Sequence, residues 1–213
     1  MAVRIKICGI TRKADFDWAV QLGADALGVN FYPSSPRYLD TNTAATILRG
    51  TPPFVTVVGV FVNENLTAMT KISQEVGRIS VLQCHGQNPQ PTGARPFQFV
   101  PAFAIKDRDD LDRITRYLDA CRETGLMPDG LLLDAHDPLH FGGTGRTAPW
   151  ELLADFHPGP PIILAGGLTA ENVAEAIRLV QPYAVDVASG IESQPGIKDH
   201  EKLARFISAV RSI

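Results

Sequence analysis

Two residues that can exchange a proton stand where apolar segments of the chain end. Cys8 closes the segment Arg4-Ile-Lys-Ile-Cys8, and Asp134 follows Leu131-Leu-Leu133. Partial loss of water raises the pKa of a carboxylic acid and suits it to donate a proton. A cysteine can act as a base once it is a thiolate, and the ammonium of Lys6 favours that form. The pair therefore predicts acid–base chemistry. The structural alternatives are a small buried thiol for Cys8 and a loop or helix cap for Asp134.

Two glycine-containing loops are candidates for an anion site. Gly166 and Gly167 follow an apolar segment and directly precede a helical pattern. Ser189 and Gly190 also follow an apolar segment, but a short further segment separates them from the next helical pattern. Glycine lets the backbone approach an anion closely, and helix N-termini present free N–H groups with a favourable dipole. The alternative is a pair of ordinary tight turns. Together, the two loops predict a phosphate site.

Arg37 ends the segment Phe31-Tyr-Pro-Ser-Ser-Pro-Arg37, in which two prolines stiffen the chain. Such a segment can hold an arginine over a binding site, and the guanidinium fork is suited to a carboxylate. A surface arginine is the alternative. The segment 141–146 contains three glycines and is predicted to be a loop over the same site, ordered by ligand.

A metal site is not expected. The segment Asp134-Ala-His-Asp-Pro-Leu-His140 contains two histidines, but Pro138 breaks the helical spacing that would place both on one metal ion. The three cysteines are widely spaced and match neither a zinc pattern nor a disulfide framework. Cys84 and Cys121 are predicted to be structural. Free thiols favour a reducing, cytoplasmic compartment.

Short apolar segments alternate with amphipathic ones along the whole chain. The predicted strands are Arg4–Cys8, Ala26–Phe31, Phe54–Val62, Ser80–His85, Phe97–Ile105, Gly130–Asp134, Ile162–Ala165 and Ala184–Ala188. The predicted helices are Lys13–Leu22, Asn42–Arg49, Leu66–Val76, Arg108–Cys121, Pro149–Phe156, Ala170–Val180 and Lys198–Val210. Several strands are apolar on both faces, as in a buried parallel sheet. Asp40 or Thr41, Asn65 and Thr169 are the expected N-caps.

This alternation predicts an α/β fold, a single-domain (β/α)8 TIM barrel formed by residues 1–213. The fourth helix is expected to be short or absent, because the segment 87–96 contains three prolines and a glycine. An open, doubly wound sheet is the alternative, but its glycine-rich turn follows the first strand. In this chain the glycine-rich loops follow strands six, seven and eight, which favours the barrel.

In a barrel the carboxyl ends of the strands form the site, and those ends carry Cys8, His85 and Asp134. Strand parity places Lys6 and Cys8 on one face of the first strand and Asp186 on the matching face of the eighth. Barrel closure makes these two strands neighbours, so we expect Lys6 to pair with Asp186 beneath the site. A Lys6 that reaches solvent at the rim is the alternative.

Composition narrows the class of partner. The 213 residues carry a net charge of −3, which disfavours a nucleic-acid-binding protein. The stretch richest in apolar residues, Phe54 to Val62, is far shorter than the roughly 20 residues of a membrane span. The N-terminus has no signal-peptide pattern. A small-molecule partner is expected, with no nucleic acid or membrane, for a monomer or a homodimer.

An ordered set of motifs resembles the phosphoribosylanthranilate isomerase family. The motifs are Lys6-Ile-Cys-Gly-Ile-Thr11, Phe31-x5-Arg37, Gln83-x-His-Gly86, Asp134 followed by Gly142-Gly-Thr-Gly145, Ala165-Gly-Gly-Leu168 and Asp186-Val-Ala-Ser-Gly-Ile-Glu192. They run from the first predicted strand to the eighth in the family's order. Each motif alone is weak, whereas the ordered set is specific.

The resemblance implies an Amadori rearrangement in tryptophan biosynthesis, without metal or organic cofactor. N-(5-phosphoribosyl)anthranilate would become 1-(2-carboxyphenylamino)-1-deoxyribulose 5-phosphate. Asp134 would be the general acid and Cys8 the general base, and Arg37 would hold the anthranilate carboxylate. His85 would contact the substrate, and backbone N–H groups of Gly166, Gly167, Ser189 and Gly190 would hold the phosphate.

Two other functions remain open from the residues themselves. One is another enzyme on a phosphate-binding barrel, such as a sugar-phosphate epimerase, which often depends on metal ligands or paired aspartates at the strand ends. The other is a non-enzymatic ligand-binding barrel that has kept the phosphate loops. A barrel fold alone does not decide between chemistries, so the residues at the strand ends must. These ends carry Cys8 and Asp134, which favour the isomerase.

Overall fold

The computed structural model describes residues 2–86, 96–135 and 150–213. Eight strands form one parallel sheet that closes on itself as a barrel in chain order. They are β1 (Arg4–Ile7), β2 (Ala26–Asn30), β3 (Thr56–Val62), β4 (Val81–His85), β5 (Gln98–Ala104), β6 (Leu131–Asp134), β7 (Ile162–Ala165) and β8 (Ala184–Val187). The predicted (β/α)8 TIM barrel is confirmed.

Seven α-helices lie in the described part of the chain. They are α1 (Lys13–Gln21), α2 (Thr41–Ile47), α3 (Leu66–Val76), α4 (Arg108–Thr124), α5 (Trp150–Leu153), α6 (Val173–Val180) and α7 (His200–Arg211). Between β4 and β5 the described residues Gly86, Pro96 and Phe97 are not helical. The rest of that connection lies outside the described residues, as do the two histidines of 136–140 and the segment 141–146.

The strands are apolar on both faces because they separate two cores. The larger core packs the outer face of the sheet against the helices, with Phe16, Phe61 and Phe206 among its fully buried side chains. Cys84 and Cys121 are also buried, as expected for structural thiols. A smaller apolar cluster fills the barrel, formed by Val58, Val81, Val100, Ala102, Leu132 and Ala165. This cluster is the floor beneath the polar strand ends.

Local capping sets most helix starts. Asp40 accepts a hydrogen bond from the Thr43 N–H, and Asn65 accepts one from the Ala68 N–H, which confirms both as N-caps. The prediction for Thr169 was wrong, since α6 begins three residues later with Asn172 at its N-cap. The Asn172 side chain instead accepts from the Thr169 N–H and donates to the Gly167 carbonyl, so it braces the loop after β7.

A small hairpin follows β8 that the sequence analysis did not predict. A 3-10 turn, Ser189–Ile191, leads into β9 (Glu192–Gln194), which pairs antiparallel with β10 (Ile197–Lys198). This register sets Lys198 opposite Glu192. The hairpin packs against the loops after β1 and β2, where the Thr11 hydroxyl donates to the Gly196 carbonyl. It thus connects three of the loops around the barrel mouth.

Candidate functional site

A buried ion pair lies beneath the mouth of the barrel, between β1 and β8. Lys6 and Asp186 are paired in register, and the Lys6 Nζ lies 2.9 Å from Asp186 Oδ1. Both side chains are almost fully buried. Burial by itself lowers the pKa of Lys6, but the Asp186 carboxylate and the Cys8 thiol outweigh it, so that the net shift is upward. The predicted pairing is confirmed.

Removing one partner of this pair is expected to be more harmful than removing both. Lys6→Met should lower the free energy of unfolding by about 3–5 kcal/mol, because it leaves the Asp186 carboxylate buried and unpaired. The double variant Lys6→Met/Asp186→Leu should recover most of that loss. Urea unfolding of the three proteins measures both effects. A double variant no more stable than Lys6→Met would show that the charges are not coupled.

Cys8 stands directly above this pair, at the carboxyl end of β1. Its backbone N–H continues the barrel ladder by donating to the Val187 carbonyl at 2.8 Å, and its side chain is half-buried. Gly28, on the neighbouring strand, provides the space for the thiol, since a Cβ built there would lie 2.9 Å from the Cys8 Sγ. The thiol therefore occupies a fitted position inside the mouth.

The Lys6 ammonium favours the Cys8 thiolate, as expected, but it does not determine the net pKa of the thiol. Burial and the Asp186 carboxylate raise the pKa of the Cys8 thiol. The ammonium groups of Lys6 and Lys198 lower it but do not compensate. One nearby cation favours the thiolate, but the thiol is also desolvated and lies near the anion that pairs with that cation.

Asp134 lies on the far side of the mouth from Cys8. It ends β6, where it is paired in register with Ala104 of β5 and Ala165 of β7, and its side chain is half-buried. In the closed strand order, β6 and β1 are separated by β7 and β8. An acid and a thiol thus stand on two different sides of one opening.

His85 ends β4 and is held from below. Its Nε2 lies 2.7 Å from the Gln83 Nε2, two residues earlier on the same face of the strand. Burial and the Lys6 ammonium lower the pKa of His85, against the effect of the Asp186 and Asp134 carboxylates. With the Gln83 amide donating, the His85 Nε2 accepts and Nδ1 carries the proton. His85 is therefore a neutral hydrogen-bonding group in the mouth.

The two glycine loops after β7 and β8 are brought together. Gly166 and Gly167 both adopt positive φ angles, 98° and 62°, which favour glycine. Gly190 lies against the first loop so closely that a Cβ there would collide with the Leu168 carbonyl oxygen. Gly167 and Ser189 are exposed at the mouth. The loops form one continuous backbone surface, as an anion site requires.

Arg37 is not a free surface arginine, so the structure contradicts that alternative. Its Nε and Nη2 donate to the two carboxylate oxygens of Glu192, at 2.9 and 2.6 Å. The Glu192 carboxylate also accepts from the Lys198 Nζ at 2.8 Å. The Glu192 and Lys198 side chains are 4% and 0% exposed, whereas Arg37 is 22% exposed. We call these three residues the charged triad.

Lys198 was not predicted as a site residue, and Glu192 had no predicted role. A signal was available, because Pro195-Gly196 between them predicts a tight turn, and a tight hairpin would have set the two charges opposite each other. In the structure, Arg37 and Lys198 hold the pKa of Glu192 below its usual range against the effect of burial.

Some expectations concern residues outside the described ranges. The loop 141–146 is one of them, and so is the histidine segment 136–140. Among the residues that the structure does describe, no group of three histidine, cysteine or acidic side chains is placed to hold a metal ion. In the same residues, no helix has the length and apolar character to cross a bilayer.

Fold and site together define the class of protein. A closed (β/α)8 barrel carries an acid, a thiol and an arginine at the carboxyl ends of its strands, and its last two loops are glycine-rich. Barrel enzymes place catalytic groups at these ends and commonly bind phosphate with the loops after strands seven and eight. The class is a barrel enzyme for small phosphorylated substrates.

Comparison with known proteins identifies the family. The family model for N-(5'-phosphoribosyl)anthranilate (PRA) isomerase matches residues 5–209. A curated relative of that name from Geotalea daltonii is 46% identical over 98% of this chain and 96% of its own length. The chain therefore belongs to the N-(5'-phosphoribosyl)anthranilate isomerase family, and it is an isomerase.

Solved structures agree with this assignment. The crystal structure of phosphoribosyl anthranilate isomerase from Thermotoga maritima superposes with a TM-score of 0.87 at 37% identity, covering 99% of this chain and all of the other. A structure of the isomerase in complex with reduced 1-(o-carboxyphenylamino)-1-deoxyribulose 5-phosphate has a TM-score of 0.85 at 35% identity, with the same coverage.

Proposed function

We propose that this chain converts N-(5-phosphoribosyl)anthranilate to 1-(2-carboxyphenylamino)-1-deoxyribulose 5-phosphate, a step of tryptophan biosynthesis. The observation that carries the proposal is the placement of Cys8 and Asp134 at the ends of β1 and β6, on two sides of one barrel mouth. An Amadori rearrangement needs an acid at the ring oxygen and a base at C2 of the same sugar. Two strands across a barrel supply them at a fixed separation.

Asp134 starts the reaction as the general acid. Its carboxyl group protonates the furanose ring oxygen while the anilino nitrogen donates its lone pair to C1, so that the C1–O bond breaks. The ring opens to a protonated Schiff base. The Asp134 carboxylate then remains half-buried near the new hydroxyl group. A partly desolvated carboxylic acid is suited to this donation.

Cys8 completes the reaction as the general base. Its thiolate removes the proton from C2, and the electrons of that C–H bond neutralise the iminium to give an enolamine, which tautomerises to the ketone. The positive Schiff base next to the thiol lowers the thiol pKa in the complex. This effect opposes the burial that raises the thiol pKa in the free enzyme.

The two ends of the substrate are anionic and find different partners. Arg37 holds the anthranilate carboxylate, while the backbone N–H groups of Gly166, Gly167, Ser189 and Gly190 hold the phosphate. His85, as a neutral ring, donates a hydrogen bond to the substrate between these ends. A coupled fluorescence assay tests the whole proposal: phosphoribosylanthranilate is generated from anthranilate and phosphoribosyl pyrophosphate, and its decay should be much faster with this enzyme than without it. No acceleration of the decay by folded protein would overturn the proposal.

Arg37→Ala is expected to raise the KM for phosphoribosylanthranilate by roughly 10- to 100-fold with a smaller change in kcat. The guanidinium contacts a carboxylate that takes no part in bond breaking, so its loss weakens the ground state and the transition state alike. Steady-state kinetics measure the split. An unchanged KM with intact turnover would place the carboxylate contact elsewhere.

Gly190→Ala is expected to raise KM by about tenfold or more, because the new methyl group must displace the Leu168 carbonyl and separate the two phosphate loops. Gly125→Ala is the matched control. Gly125 has a φ of 70° at the end of α4, away from the mouth, so this variant should lose stability without a change in KM. Equal kinetic effects in both variants would contradict the role of the Gly190 loop.

We also propose that residues 1–213 act as one barrel domain, as a monomer or a homodimer in the cytoplasm. The family match over residues 5–209 supports a single functional unit. The substrate is a small molecule, and the acid, the base and the backbone donors account for every step without a metal or an organic cofactor.

A further inference from the structure

We propose that Glu192 and Lys198 are positioning residues that make the mouth selective for a substrate with one carboxylate, and that they act through Arg37. The inference rests on the proposed contact between Arg37 and the anthranilate carboxylate. It adds two residues to that contact, neither of which touches substrate.

Lys198 is fully enclosed and fully bonded. Its Nζ donates to the Cys8 carbonyl at 2.6 Å, to the Ala188 carbonyl at 3.2 Å and to Glu192 Oε1 at 2.8 Å. Three acceptors around one nitrogen require three N–H groups, so the side chain is an ammonium. Burial lowers the pKa of Lys198 against the effect of Glu192. Lys198 thus connects the carboxyl ends of β1 and β8, through the Cys8 and Ala188 carbonyls, to Glu192.

Glu192 connects Lys198 to Arg37 and so holds the Arg37 guanidinium in place. Its Oε1 accepts from both the Lys198 Nζ and the Arg37 Nε, and its Oε2 accepts from the Arg37 Nη2. A side-on pair of this kind sets the plane of the guanidinium. The hydrogens on the Arg37 Nη1 are not used in this pair and remain for a carboxylate approaching from the mouth. The triad thus preorganises the anchor before substrate arrives.

The charges of the triad match the proposed ligand. Two cations and one anion give the triad a net charge of +1, and Arg37, at 22% exposed, is its most accessible member. One carboxylate neutralises this charge, whereas an uncharged aryl group would leave it uncompensated in a partly dry site. Without Glu192, Arg37 would lose its orientation, and Lys198 would lose the anion that opposes the lowering of its pKa by burial. Selectivity for a carboxylated substrate therefore depends on Glu192 and Lys198 as much as on Arg37.

Two ligands separate the carboxylate contact from every other contact. One is the reduced product, which carries the carboxylate, and the other is its 1-phenylamino analogue, which lacks it. Calorimetry gives the ratio of their Kd values for each protein. We expect the wild type to prefer the carboxylated ligand by about tenfold or more. Glu192→Gln should bring that ratio close to one by weakening the carboxylated ligand alone, and it should raise KM more than it lowers kcat.

A double-mutant comparison distinguishes positioning from general damage. Because Glu192 acts through Arg37, Glu192→Gln should not change the ratio further in an Arg37→Ala background. Glu171→Gln is the matched control, since Glu171 pairs with Arg205 at the exposed surface, and it should keep the wild-type ratio. If Glu192→Gln does not fold, Glu192→Asp keeps the charge but is one methylene too short for both partners, and its ratio should be intermediate.

The outcomes separate this inference from the proposed function. If Arg37→Ala keeps the preference for the carboxylated ligand, the Arg37 contact itself is wrong. If Arg37→Ala loses the preference but Glu192→Gln, or Glu192→Asp in its place, keeps it, the positioning role alone is overturned. Equal weakening of both ligands by Glu192→Gln would also overturn it, since that result indicates a structural role only.

Discussion

Replacing Cys8 by alanine should reduce kcat by about two to four orders of magnitude, which is the usual contribution of a positioned general base. The phosphate loops and the charged triad are left in place, so the affinity for the reduced product should change little. The small side chain also fits the space that Gly28 provides for the thiol. Steady-state kinetics and calorimetry on the same preparation measure the two quantities.

Cys121→Ala is the matched control for this experiment. It removes a thiol that is buried in α4 and does not face the mouth, so it should change stability and leave kcat near the wild-type value. Cys8→Ser gives the chemical comparison, because it keeps the size of the side chain but has no accessible anion near neutral pH. Near-full turnover in Cys8→Ser or Cys8→Ala would remove Cys8 from the role of base.

The raised pKa of the Cys8 thiol can be tested separately, in the free enzyme. Since burial and Asp186 favour the neutral thiol, little thiolate is present at neutral pH. Alkylation of Cys8 by iodoacetamide, followed as the difference between wild type and Cys8→Ala, should be slow at pH 7 and accelerate as pH rises, with a midpoint above the ordinary thiol value. Rapid alkylation at pH 7 would show that Lys6 and Lys198 dominate instead.

Patterns of apolar residues were sufficient to predict the barrel. Strands such as Ile162–Ala165 and helices such as Leu66–Val76 have the predicted bounds, because apolar periodicity and a capping Asn65 act locally. The Lys6–Asp186 pair was also predictable, since barrel closure makes the first and last strands neighbours. Parity and closure are properties of the fold class, so they need no knowledge of side-chain packing.

The remaining features depend on contacts between distant segments. Arg37 and Glu192 are far apart in sequence, and nothing in either local segment indicates that they form a bidentate pair. The thiol pKa depends in the same way on burial and on the partner of Lys6, neither of which a strand pattern contains. Composition and spacing locate chemical groups, whereas their charge states depend on the assembled site.

Asp134→Asn is the second large effect that we expect, with a loss of about two to four orders of magnitude in kcat. Asparagine keeps the shape of the side chain and some of its hydrogen bonding but cannot release a proton to the ring oxygen. The substrate should still bind, because its carboxylate and phosphate partners lie on other strands. The reduced product should therefore keep its affinity while turnover is lost.

Asp129→Asn controls for the loss of a carboxylate near the same strand. Asp129 lies before β6, at the opposite end of the barrel, where its carboxylate accepts a hydrogen bond from the Phe99 N–H. This variant should lose some stability and keep its kcat.

Asp134→Asn and Cys8→Ala together also test the order of steps, because an enzyme without its acid but with its base cannot open the ring. If an open-chain aldimine analogue were still deprotonated at C2 by Asp134→Asn, and not by Cys8→Ala, the acid and the base would be assigned to separate steps. A loss of C2 deprotonation in both variants would instead mean that Asp134 acts after ring opening as well, and that the two-step division is wrong.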